Sequence, residues 1–135
     1  MRRYHSQTGR NCLQCCIAGL FDMELEMIPD VDTFERDAEG KGWFDSFYNW
    51  SKLTLNHVPV AVTDDTLDDL LHIEVCETDK GVSHAVISKG CDLVYDPDGT
   101  YQVGPERKTE YRILFVPLEY GCQRRIPELD EFIKE

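Results

Sequence analysis

Long apolar runs are missing from this chain. Nothing in its 135 residues approaches the roughly 20 consecutive apolar positions that a membrane-spanning helix requires. The opening MRRYHSQTGR has basic residues, but no apolar segment with a small-residue cleavage site follows it. No secretory signal is therefore expected, and a cytoplasmic location follows by default. Basic charge is also scarce. Lys and Arg number 14 against 26 Asp and Glu, for a formal net charge of −12, which argues against binding nucleic acid through its phosphates. The acidity aids solubility and leaves open a basic partner or substrate. Internal repeats and obvious linkers are absent, so residues 1–135 are expected to form a single domain. Strands do not alternate with helices, which counts against a Rossmann-like fold.

Cysteine is well represented, with six residues: Cys12, Cys15, Cys16, Cys76, Cys91 and Cys122. Without a secretory signal these thiols are expected to be reduced, metal-bound or catalytic rather than bridged. Cys12, Cys15 and Cys16 share one predicted helix, where mutual pairing is geometrically poor. Cys12 and Cys15 form a C-x-x-C pair that could hold zinc, but the remaining cysteines are isolated and supply no second pair. A redox use of the same pair expects a strand before it, in a βαβ setting that is not visible. No metal or cofactor is expected.

Taken in order, the chain begins with a polar segment, and Asn11 is a candidate N-cap. Leu13, Cys16, Ile17, Leu20 and Phe21 then recur at three- and four-residue spacing, one face of a helix beginning at Cys12. Residues 22–31 read as a connector with a short turn before Pro29, and 32–41 as a surface helix or loop. Trp43, Phe44, Phe47, Tyr48, Trp50 and Leu53 predict a second helix over about 43–54, with its aromatics in the core. Val58, Val60 and Val62 alternate as a strand, and Pro59 implies an edge position. DDTLDDLL, 64–71, reads as a short helix whose aspartates suit its N-terminus. Strands follow at 72–77, 83–88, 93–96 and 111–118, with a hairpin turn KGCD between the second and third and a short further strand at 101–103. The charged tail suggests a final surface helix. Helices first and antiparallel strands after make an α+β fold, with the helices on one side of a sheet.

One constellation could carry chemistry. A cysteine nucleophile needs a thiolate, a histidine to move the proton, a group to orient that histidine, and donors for the oxyanion. Cys12, in the first turn of a helix, meets unpaired N–H groups and the positive end of the helix dipole, both of which favour a thiolate. Gln7, five positions upstream, can aim its side-chain N–H at the oxyanion beside the Cys12 backbone N–H. If the hairpin turns about Gly90, residues 84 and 96 each lie six positions from it. His84 and Asp96 would then face each other across the ladder. Asp92 and Asp98 are alternative acids, and His57 an alternative base. His5 and His72 have no partner pattern. Cys15 and Cys16 read as small core thiols.

Glutamine, a short gap, cysteine at a helix start, and much later a strand HAVI leading through a hairpin into DP together resemble the papain-like cysteine peptidases. The likeness is greatest to the bacteriocin-leader-peptidase branch and its small stand-alone relatives encoded by phages and bacteria. It covers roughly residues 5–31 and 82–99. LFDMELEMIPDV, 20–31, also resembles the connector after the catalytic helix in the small phage-encoded members. The approach from Gln7 to Cys12 is one residue shorter than in papain-like enzymes, and Leu13 stands where transporter-linked members have glycine. The resemblance implies a papain-like domain, N-terminal helices packed on a C-terminal antiparallel sheet, acting as a cysteine hydrolase on a peptide or isopeptide bond. Cys12 would be the nucleophile, His84 the general base, Asp96 its orienting acid and Gln7 the oxyanion donor. A peptide or protein substrate is implied, and a host-cell cytoplasm if a phage encodes the chain. The alternative is an acidic binding or inhibitor protein on a papain-like scaffold that performs no chemistry.

Overall fold

Leu13, Cys16, Ile17, Leu20 and Phe21 are all buried along one side of helix α1, Cys12–Phe21. The computed structural model of the chain describes residues 11–37, 42–63, 67, 69–77, 83–97 and 107–118. Asn11 stands at the N-cap of α1, but its side chain makes no capping bond; its Oδ1 lies 3.8 Å from the Cys15 sulfur instead. Asp22 ends the helix in the left-handed region at φ 52°, and the Met23 N–H returns to the Ala18 carbonyl. A single 3₁₀ turn, Leu25–Met27, and helix α2, Val31–Asp37, follow. Asp30 opens α2, its carboxylate accepting from both the backbone N–H and the hydroxyl of Thr33.

Helix α3, Trp43–Leu55, buries Phe47, Ser51 and Leu55, a four-residue repeat that faces the core. Phe47 collects the aromatic packing predicted for this segment. Its ring meets Phe34, Trp43, Phe44 and Phe115 at centroid distances of 5.4, 5.6, 5.5 and 6.0 Å. Asn56 closes the helix at φ 55°, a left-handed position that asparagine tolerates better than most residues.

Five strands form one antiparallel sheet: β1, His57–Val62; β2, Leu71–Glu77; β3, Ser83–Lys89; β4, Asp92–Tyr95; and β5, Lys108–Pro117. Their order across the sheet is β1-β5-β2-β3-β4. Pro59 does lie on an edge strand, as its missing N–H requires. Leu71, Ile73 and Val75 of β2, Ala85 and Ile87 of β3, and Ile113 and Phe115 of β5 point into one core shared with α1, α2 and α3. This is an α+β fold with three helices packed on an antiparallel sheet. Among the described residues no helix is long and apolar enough to cross a membrane.

Two expectations change. Of the helix expected over 64–71, residues 64–66 and 68 lie outside the described residues. The rest is not helical: Asp69 is a turn residue at φ 55°, and Leu71 already opens β2. The leucines there serve the entry to a strand, with Leu67 and Leu71 both buried. The β3–β4 hairpin also turns about a different point. Lys89 pairs with Asp92 and Ser88 with Leu93, so the centre lies between Gly90 and Cys91 rather than on Gly90. Gly90 takes φ +61° at the first central position while Cys91 does not, the pattern of a type II′ turn. The expected strands at 101–103 and the helix in the tail lie outside the described residues.

Candidate active site

A turn centred between Gly90 and Cys91 would by itself put residues 84 and 96 on opposite faces, because each one-residue change of register reverses the pleat. A β-bulge between Ile87 and Ser88 restores the match. Beyond it the pairing becomes Ile87 with Tyr95, one residue off the register of the turn. Carried on one step, that register sets Asp96 beside Val86, with His84 two positions along on the same face. The direct cross-strand pair expected from the sequence is thus a diagonal pair. Diagonal neighbours are still within reach of a long side chain, and His84 Nε2 lies 2.6 Å from Asp96 Oδ1.

β4 is short, and its registered pairs with β3 end at Ile87 and Tyr95. The start of α1 reaches the part of β3 before that point, since the Cys12 sulfur accepts a hydrogen bond from the Ala85 backbone N–H. The same sulfur is hydrogen-bonded to the His84 side chain and to the Leu13 N–H in the first turn of its own helix. Asp96 occupies Nε2 of His84, which leaves Nδ1 for the thiol. Cys12, His84 and Asp96 therefore form a continuous chain, with Cys12 partly buried and His84 only 2% exposed.

The electrostatics separate this thiol from its neighbours. Burial alone would raise the Cys12 pKa, but the His84 hydrogen bond, the Ala85 N–H and the charge of His84 together bring it below its ordinary value. For His84, burial works to lower the pKa, while hydrogen bonds to Cys12 and Asp96 and their negative charge raise it above its ordinary value. Both shifts favour a thiolate–imidazolium pair. Cys15 and Cys76 are pushed up to about 11 by burial, with Cys12 adding to the effect on Cys15 and Glu74 to that on Cys76. Cys16 is raised further by complete burial. Burial favours the protonated form of these thiols, whereas the surroundings of Cys12 favour its thiolate.

Gln7, Cys122, His5 and Asp98 lie outside the described residues. His57, the alternative base, is fully buried with Nδ1 bonded to the Leu55 carbonyl and its ring edge-on to Phe21. Phe21 ends the helix that Cys12 begins, about 13 Å away at 1.5 Å per residue, so His57 does not serve this thiol. Asp92, the other alternative acid within the described residues, sits at the hairpin turn opposite Lys89. No group of three or more His, Cys, Asp or Glu residues among the described residues is placed to hold a metal ion.

The sequence reading missed a second buried polar cluster. Glu74 on β2 is 0% exposed and lies directly across from Arg112 on β5. Its carboxylate accepts from Ser88 Oγ at 2.7 Å, Arg107 Nε at 2.9 Å, Arg112 at 3.5 Å, and the Thr109 hydroxyl. Burial would raise its pKa, but Arg107, Thr109 and Ser88 hold it below the ordinary carboxylate value. His72 is neutral here: Nδ1–H donates to the Leu70 carbonyl, and Nε2 accepts from Arg112 at 2.8 Å. Burial holds its pKa down. The available signal was HIEVCE itself, whose alternation puts His72, Glu74 and Cys76 together on the face away from Ile73 and Val75.

Comparison of the chain with protein-family models, with curated proteins and with solved structures returned no match.

Proposed function

We propose that this protein is a papain-like cysteine hydrolase acting on an amide or isopeptide bond, with peptide cleavage as the first reaction to test. The observation that carries the reading is the hydrogen-bonded chain from the Cys12 sulfur through His84 to Asp96, built at the start of a helix. Cys12 thiolate attacks the carbonyl carbon, forming the C–S bond and driving the carbonyl electrons onto oxygen. Backbone N–H groups of the first helical turn, with the Gln7 side chain as a further candidate, offer hydrogen bonds to that oxyanion. As the tetrahedral species collapses, His84 gives its Nδ1 proton to the leaving amine. Water then attacks the thioester with His84 taking its proton, and the acid leaves as Cys12 is restored. Asp96 holds the imidazole in the tautomer that carries a proton on Nε2 and stabilises the imidazolium.

Iodoacetamide labelling followed by peptide mass analysis tests the nucleophile. At pH about 7 Cys12 should react well ahead of Cys91, which is exposed. Equal rates at the two positions would refute the assignment. Biological activity that survives Cys12→Ala would favour the acidic binding protein instead.

A further inference from the structure

We propose that Glu74, acting through Arg107, Arg112 and Ser88, is a positioning residue for Asp96. It holds the β3–β4 turn and its bulge in the register that sets Asp96 against His84. This rests on the hydrolase reading of Cys12.

β4 does little to fix its own place. Asp92, Leu93 and Val94 are exposed, and only three pairs with β3 are in register. Burial specifies register where one face of a strand is covered, and in β4 Tyr95 alone packs against the core. What holds the hairpin lies on the other side of the turn. Arg112 donates to the Gly90 carbonyl at 3.2 Å and Arg107 to the Cys91 carbonyl at 2.7 Å. These are the two central residues of the turn. The Gly90 N–H reaches the Leu70 carbonyl at 3.3 Å, the same oxygen that anchors His72. Ser88, at the bulge, donates to Glu74. One buried carboxylate therefore neutralises both arginines that grip the turn and ties down the residue where the register shifts. The guanidinium fork lets Arg107 meet the carboxylate through Nε and a carbonyl through Nη2, while Arg112 makes its contacts to Glu74, His72 and the Gly90 carbonyl through Nη1.

Arg107→Lys separates these functions: an ammonium keeps the charge beside Glu74 but has no fork to span from Glu74 to the Cys91 carbonyl. Ser88→Ala removes one hydroxyl at the bulge and leaves both arginines, and is the second variant should Arg107→Lys fold poorly. The readout is the pH profile of Cys12 alkylation by iodoacetamide in the folded protein, which a loss of global stability alone does not move. Arg107→Lys and Ser88→Ala should each shift the rise in Cys12 reactivity to higher pH and slow labelling at pH about 7, up to the roughly tenfold that accompanies one pKa unit. Asp96→Ala should do the same. Combining it with Arg107→Lys should add nothing, because both act through one contact. Wild-type profiles in both Arg107→Lys and Ser88→Ala, or a combined effect equal to the product of the separate ones, would overturn the proposal while leaving the nucleophile intact. A wild-type Cys12 no faster than Cys91 would overturn the hydrolase reading and this proposal with it.

Discussion

His84 bonds to two partners from one ring, and each opposes the effect of burial on its charge. Its pKa is raised while that of Cys12 is lowered, and both shifts move the two groups toward a thiolate–imidazolium pair. Two consequences follow from the proposed hydrolase reading. Its rate should climb as pH rises through the lowered Cys12 value and fall as pH passes the raised His84 value, giving a bell-shaped profile. Asp96→Ala should narrow that bell from its alkaline side, since the imidazolium loses its carboxylate. Measuring the alkaline limb in wild type and variant checks this, and an unchanged limb would remove Asp96 from the relay. Asp96 was legible in the sequence for a reason that is only half correct. The symmetry about Gly90 pointed to a carboxylate that does bond His84, while the actual turn and the bulge each shift the register by one and cancel in their effect on the face. Glu74 could not be recognised so directly, because its partners Arg107 and Arg112 lie more than thirty positions away and meet it only across the sheet.

At the scale of elements, most boundaries followed from local pattern. The apolar spacing after Cys12 gave α1, aromatic density gave α3, and Pro59 gave the edge placement of β1. The exception is the leucine-rich 64–71 segment, where a run of aspartates and leucines satisfied a helical template, yet Leu71 pairs with Lys89 in the sheet. Tertiary pairing overrode a weak local preference there. The left-handed closure of α3 offers a test of local strain. Asn56→Ala should cost about 1 kcal/mol, the penalty for a Cβ-bearing residue without a compensating side chain at positive φ, whereas Asn56→Gly should be near neutral. Urea denaturation should show a lower midpoint for the alanine variant with an unchanged slope. The Leu118 N–H bonds to the Asn56 carbonyl, so the same turn also ties the end of β5 to α3.

Across the whole molecule, the sheet divides the interior into two kinds of buried region. One face is hydrocarbon shared with three helices, and the other holds the Glu74 cluster. The cluster makes stability respond to acid with a definite sign. A carboxylate whose folded pKa is lowered contributes stability that is fully present above its unfolded value, about 4.3, and is lost as pH falls through the folded value. Glu74→Gln leaves two arginines without their counter-charge and should cost about 3 kcal/mol or more at neutral pH. The gap between variant and wild type should narrow below pH about 4, because wild type then carries a protonated Glu74 as well. Denaturant unfolding at pH about 7 and about 3 measures this directly. A gap that stays constant would show that the carboxylate charge contributes nothing there.

The single extra residue on β4, Val94 opposite the Ile87–Ser88 step, gives the hairpin an even-or-odd rule for insertions. Adding one residue between His84 and Asp96 turns the carboxylate to the opposite side of the ribbon, whatever that residue is, while adding two keeps its side and changes only its reach. One inserted glycine after Cys91 should therefore abolish the preferential alkylation of Cys12, and two should recover part of it. The length of the eleven-residue stretch between His84 and Asp96, rather than identity at most of its positions, is then what the proposed chemistry can least tolerate changing.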